Sequence, residues 1–303
     1  MLSSAVALSG SLGVTASEAQ AQEIVTSFAP AGTTDTGVWF ENDVRAGGSA
    51  STEDLTSLGG NLENNQPLPS GAAKLTTDST NEAKAEVAVI DGYGMPQAIL
   101  SSLGIFYSYH KVANPDPGHN PFAAPSVKLT FLNPVCDDPD SGGDCFGTLV
   151  YEPTWNHPGS IGSSSSVPID EWIAVTIDDE NGVFWWTGGF GEPNTAGGPP
   201  LRTLAEWNDE FSTDFGDSEL FQISIGVGTF NQGQIGYFDD VQIVHDHDGS
   251  FDKSYDFEPQ IGPPLDKDEC KKGGWMSFNT PTFRNQGDCV SFVASNGRAR
   301  RHN

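Results

Sequence analysis

Basic residues are scarce in this chain: 14 lysines and arginines stand against 41 aspartates and glutamates, a formal charge of −27. So acidic a surface repels both the phosphate backbone of nucleic acids and anionic membranes, which argues against partners of either kind. Long apolar runs are missing as well. Beyond the N-terminal segment nothing approaches the ~18 consecutive apolar residues of a membrane-spanning helix, so no membrane insertion is expected. Cysteine is limited to four, with no C-x-x-C spacing and no histidine between or beside them, which disfavours zinc. No G-x-S-x-G, no H-E-x-x-H and no cysteine–histidine pairing appears, so the sequence offers no convincing catalytic constellation. Helical spacing is confined to "LRTLAEWNDEF", where Leu201, Leu204 and Trp207 suggest a surface turn of helix.

What is present is a period of two. "SVKLTFLN" sets Val127, Leu129 and Phe131 against Lys128 and Thr130, and "LFQISIGVG" sets Ile223, Ile225 and Val227 against Gln222 and Ser224. Similar alternation runs through 83–90, 104–111, 146–153, 171–178, 182–187 and 235–244, with joints such as "NPDPGHNP" and "GEPNTAGGPP" between them. About ten short strands with almost no helix predict an all-β fold, two antiparallel sheets packed as a β-sandwich or jelly roll.

The ends differ from the body. "MLSSAVALSGSLGVTASEAQAQE" carries a small-residue apolar run and an A-x-A site ending at Ala21, the pattern of an export signal without its basic n-region. Residues 1–21 are therefore read as a signal peptide, 22–258 as the sandwich, 259–268 as a proline-bearing linker and 269–303 as a tail. The tail reverses the charge: residues 266–303 hold 7 basic and 4 acidic residues, the rest 7 and 37. Cysteines fall into two near pairs, Cys136 with Cys145 and Cys270 with Cys289, and an oxidising, extracellular compartment follows from disulfide pairing. Three connectivities are possible, and local pairing brackets one loop each. In the tail, Trp275, Phe278, Phe283, Val290 and Phe292 form a mini-core that needs its disulfide, and a small hairpin is expected. Lys271, Lys272 and Arg284 either dock it on the acidic sandwich or hold the protein to an anionic surface.

Two resemblances add to this. "VPIDEWIAVTID", "GVFWWTGG" and "GYFDDVQIV" resemble the core and closing strands of concanavalin-like and laminin-G-like jelly rolls of secreted carbohydrate-binding proteins, with Trp172 opening a core strand. The segment "CKKGGWMSFNTPTFRNQGDCVSF" is similar to a C-terminal element of secreted bacterial proteins without an assigned activity. The first resemblance implies a structural Ca²⁺ on the closing strand, at Asp239 or Asp240, with backbone oxygens completing a shell that calcium fills with six to eight ligands. The other reading is that Asp239 accepts backbone N–H groups and Asp240 is solvated. The E-x-D-x-x-E strand of laminarinase-like jelly-roll hydrolases is absent, and only Glu152, Glu171 and Glu180 are formal catalytic candidates.

Flat aromatic faces flanked by carboxylates and amides recognise sugars. Trp155, Trp185, Trp186, Phe190, Tyr107 and Tyr109 are the candidates, and adjacent Trp185 and Trp186 must point to opposite faces. The acidic loops "CDDPDSGGDC" and "HDHDGSFD" match no calcium-loop motif and read as solvated turns, with calcium in either loop and a transition metal at the His245, Asp246, His247, Asp248 and Asp252 cluster as the rival readings. The expectation is a secreted, monomeric, non-catalytic β-sandwich that binds a polysaccharide or cell-surface glycan. A polysaccharide-degrading hydrolase or lyase and a structural envelope protein are the alternatives.

Overall fold

The computed structural model of the protein describes residues 22–94, 99–114, 119–133, 145–188, 197–210, 218–246, 251–276, 278, 281–295 and 297. Residues 1–21, read above as an export signal, Cys136 with Asp137 to Asp144, Phe190, His247, Asp248 and the final arginines lie outside them. Among the described residues, thirteen strands form two sheets packed face to face, an antiparallel β-sandwich of jelly-roll type.

The six-stranded sheet runs in the order β10 (Phe184–Gly188), β8 (Phe146–Tyr151), β7 (Ser126–Leu132), β11 (Glu219–Val227), β5 (Ala85–Ile90) and β2 (Trp39–Glu41). All its neighbours are antiparallel. The alternation read from the sequence sorts its faces: Val127, Leu129, Phe131, Ile223, Ile225 and Val227 are fully buried, while Lys128, Thr130 and Gln222 turn outward.

In the seven-stranded sheet, β9 (Trp172–Ile177) pairs with β6 (Gly104–Lys111), and β6 with β12 (Ile235–His245). The other edge of β12 is shared. Its first half pairs with β4 (Gly71–Thr77), which carries β3 (Gly48–Asp54), and its second half with β13 (Phe251–Phe257), which carries β1 (Glu23–Val25). A bulge between Asp239 and Gln242, with Asp240 at φ 51°, marks the changeover. Gly71 is required there, since a Cβ would lie 2.6 Å from the Phe257 carbonyl oxygen. Only β1 and β13 are parallel among these pairs.

Aromatic packing ties the sheets together. Trp39 of β2 meets Tyr255 and Phe257 of β13 edge-on at 5.4 and 5.1 Å, and Phe257 meets Phe238 at 4.8 Å. The expected helix forms as α2 (Leu204–Glu210), after a short α1 (Gly60–Asn64). Thr203 and Glu206 close a capping box on it: the Thr203 N–H donates to Glu206 Oε2 at 2.9 Å and the Glu206 N–H to Thr203 Oγ1 at 3.3 Å. It is no surface turn, however, because Leu204 and Trp207 are fully buried and the Trp207 indole donates to the Phe184 carbonyl.

Cys270 and Cys289 are bridged, with Cα atoms 5.7 Å apart, and Cys145 is also disulfide-bonded. The tail is a correction: in place of a β-hairpin, a tight turn over Lys271–Met276 leads to α3 (Gln286–Ala294). Asn285 caps that helix, its side chain accepting from the Asp288 N–H at 3.0 Å. Phe283 packs between Phe278 and Phe292 as the mini-core expected there.

Candidate functional site

The outward face of the six-stranded sheet carries a groove. Trp185 and Thr187 reach it from β10, Thr148 and Val150 from β8, Lys128 and Thr130 from β7, Gln222 from β11 and Glu86 from β5, with Asn42 just past β2. Two adjoining cavities of 510 and 380 Å³ share Lys84, Lys128, Val150, Trp185 and Thr187 and so form one continuous depression across the strands.

Glu86 anchors its floor and is 3% exposed. Oε2 accepts from the Lys128 ammonium and, at 3.1 Å, from Lys84, while Oε1 accepts from Asn42 Nδ2 at 2.7 Å and Ser224 Oγ at 3.1 Å. Gly226 stands opposite in the ladder and leaves room for this side chain, since a Cβ there would come within 2.8 Å of Glu86. Burial alone would raise this carboxyl, but Lys128 and Lys84 outweigh it and hold it at about 2. On Lys128 the balance falls the other way: desolvation pushes its ammonium below the usual lysine range despite Glu86. Lys84 also contacts Asp43 at 2.7 Å, and Arg45 grips Asp43 with two N–H groups at 2.8 and 2.7 Å. Arg45, Lys84 and Lys128 thus bring three of the body's seven cations to one groove.

Glu152 closes the far end. Its Oε2 accepts from both the Trp185 indole at 2.9 Å and the Trp155 indole at 3.2 Å. Burial raises its pKa above the usual glutamate value, against the two indoles and Lys128. At the lip, Phe230 is 65% exposed and held at φ 61°, a conformation unusual for a bulky side chain. Asn120 braces that turn, donating to the Phe230 carbonyl at 3.2 Å and to Asn231 Oδ1 at 2.9 Å.

The structure therefore divides the aromatic candidates. Trp155 and Trp185 meet at Glu152 and are half-buried. Trp186 is a correction: it is 1% exposed and packs on Phe131 and Trp207 in the core. Tyr107 is another, buried with its hydroxyl on the Pro125 carbonyl at 2.9 Å. Tyr109 is buried to its ring and lines a different cleft. Sequence reasoning missed Phe230, Arg45, Asn42 and Glu86. Of these only Phe230 left a trace, an aromatic inside the turn "TFNQG". Among the formal catalytic candidates, Glu171 and Glu180 are exposed and line neither groove cavity. Glu86 is engaged by four side chains, so Glu152 is the less encumbered carboxylate of the groove.

Asp239 sits at the junction of β4, β12 and β13, fully buried. Its Oδ1 accepts from the Phe257 N–H at 2.9 Å, and its Oδ2 is buried without a hydrogen-bond partner. Burial pushes this carboxyl up to about 8 and that of neighbouring Asp256, whose Oδ1 is likewise unpartnered, to about 6. Asp240 points elsewhere, accepting from Gln242 Nε2 at 3.2 Å. Among the described residues no three aspartate, glutamate, histidine or cysteine side chains cluster as a metal-ligand set. His245, the last residue of β12 and the first of the acidic stretch, is buried and stacked on Phe251 at 4.8 Å.

No family model matches the chain, and no curated protein does. Solved structures similar to it include the family 11 carbohydrate-binding module of a cellulosomal cellulase of Clostridium thermocellum. That likeness has 12% identity over 68% of this chain and 86% of that one, with a TM-score of 0.33. Another is an endo-β-1,4-glucuronan lyase from the fungus Trichoderma reesei, with 15% identity over 69% and 95% and a TM-score of 0.34. Likenesses at this level establish neither family nor ligand, so the groove's own chemistry must carry the reading.

Proposed function

We propose that the protein is a secreted glycan-binding β-sandwich whose ligand lies in the groove of the six-stranded sheet, with Trp185 as floor and Phe230 as lip. The observation that supports this is Trp185 itself. Its indole is oriented by a hydrogen bond to Glu152, and amide and charged side chains (Gln222, Asn42, Lys128) surround it in an open groove. A pyranose has an apolar face that stacks on such a ring and a rim of hydroxyls that take amide and charged partners. Trp155 lines neither groove cavity and contributes by holding the same carboxylate.

Calcium belongs to the same proposal. Asp239 Oδ2 and Asp256 Oδ1, acceptors without donors, suit a hard cation, and backbone carbonyls would complete its shell. Bound there, it would brace the strand junction on the sheet opposite the groove. Melting temperature that rises with calcium and falls with EDTA supports this, provided Asp239→Asn abolishes the response. An indifferent melting temperature retires it.

The groove is tested by binding the mature, oxidised protein to a panel of soluble and insoluble polysaccharides while assaying the supernatant for released sugar. Retention without release is expected, and Trp185→Ala should weaken it at least tenfold, as loss of a central aromatic anchor does. Released sugar would move the protein to the hydrolase or lyase class, with Glu152 as its carboxylate. No retention on any glycan would leave the structural envelope role.

A further inference from the structure

A second cleft opens where the two sheets part, between the edge strand β9 and the end of β8. Its volume is 280 Å³, at the lower limit of about 300 Å³ for small-molecule pockets, so it admits one ring and not a chain. Ile173 and Val175 from β9, with Pro153, give it apolar walls. Tyr109 of β6 and Tyr151 of β8 form its back. Both rings belong to the core and are only 3% and 5% exposed, yet their hydroxyls make no hydrogen bond among the described residues. Neither oxygen is sealed from solvent. Tyr107, beside them, has spent its hydroxyl on a backbone carbonyl, so the difference between these tyrosines is specific.

We propose that this cleft is a second ligand site, for a single neutral sugar ring or a polyol of that size, with the Tyr109 and Tyr151 hydroxyls as its hydrogen-bonding floor. A ligand with an apolar face and hydroxyl edges matches prolines and aliphatics on the walls and phenols at the back. A neutral ligand suits the lining, which contains no lysine, arginine, aspartate or glutamate in a chain where 18% of residues are charged, and whose one histidine, His157, has its Nδ1 on the Pro158 carbonyl at 3.1 Å. Burial keeps both phenols protonated, so each donates and accepts, and the Glu171 carboxylate acting on Tyr109 disfavours anions.

The site is distinct from the groove and stands or falls without it, but one segment serves both. Tyr151 and Pro153 face the cleft while Glu152, between them, faces the groove. Strand alternation at the end of β8 thus puts consecutive residues on two binding surfaces.

The test is a titration of the full chain with methyl β-D-glucopyranoside, methyl β-D-galactopyranoside and methyl α-D-mannopyranoside, followed by amide and indole NMR shifts. Expected are saturable shifts over residues 173–176 with at least one probe, at the millimolar affinity a ligand of this size reaches, with the Trp185 indole signal unmoved. The double variant Tyr109→Phe, Tyr151→Phe keeps both rings in the core and should bind about tenfold more weakly, the effect of losing two hydrogen bonds. Shifts centred on Trp185, unchanged affinity in the double variant, or no shift at 173–176 with any probe would each overturn the second site. Polysaccharide retention, read separately, reports on the groove alone.

Discussion

Two carboxylates of one groove are driven in opposite directions by their neighbours. Glu86 is held at about 2 by two lysines, and Glu152 is raised because only indoles and a more remote lysine offset its burial. Glu86 is depressed relative to its unfolded value of 4.5, so its contribution to stability is complete above that pH and is lost as pH falls toward about 2. Urea unfolding between pH 6 and 2 should show that loss, and Glu86→Gln should flatten it. At neutral pH the same substitution strands the buried Lys128 ammonium, while Lys84 keeps Asp43, and should cost about 3–5 kcal/mol, read from the urea midpoint. Phe230 makes the converse case. Its left-handed backbone stores strain, so Phe230→Gly should stabilise the protein by about 1 kcal/mol in thermal melts while weakening glycan retention. A variant that loses stability and keeps binding would remove Phe230 from the site. Little of this was legible from the chain. Alternation required Trp185 and Trp186 to face opposite ways, but which one faced out depended on β10 registering with β8, Trp185 opposite Val150. The convergence of Asn42, Glu86, Lys128, Glu152 and Gln222 needs five segments paired in order, and no local pattern encodes that.

Strands with one apolar face announced themselves, and those without did not. β7 and β11 alternate along their apolar runs, β12 does so on either side of its bulge, and all three lie where the sequence placed them. β3, "GSASTED", offers no large apolar residue because it is an edge strand, and β4, "GAAKLTT", buries mostly small ones. β13 does alternate, Phe251, Tyr255 and Phe257 against Asp252 and Asp256, but the acidic run before it disguised its start. In the tail, Val290 and Phe292 read as strand, whereas Asn285 with Asp288 three residues on was a helix-capping signal that decided otherwise. Lys271 pairs with Asp268 within its own turn, and Lys272 and Arg284 are exposed. The bridge closes a segment of sequence separation 19, worth about 3 kcal/mol on the loop-entropy account. Replacing Cys270 and Cys289 by serine should therefore abolish hydrogen-exchange protection over residues 289–295 while leaving β7 and β11 protected. Protection lost in both would mean that the tail supports the sandwich.

At the scale of the whole molecule, charge dominates. A net −27 makes the folded chain repel itself, so adding sodium chloride should raise the melting temperature steadily as the repulsion is screened. A flat or falling response would mean that paired charges such as the Glu86 network set the stability. The cations that could have been spread over this surface are instead concentrated, three in the groove and seven after residue 265. The parallel pairing of β1 with β13 bears on how the sandwich carries load. Glu23 lies beside Tyr255 and Val25 beside Phe257, with the Glu258 N–H on the Val25 carbonyl at 3.0 Å and Lys253 on Glu23 at 2.7 Å. Tension applied between residue 22 and the linker pulls two parallel strands in opposite directions along their length. Their hydrogen bonds are then loaded together, in shear, whereas a hairpin would open one bond at a time.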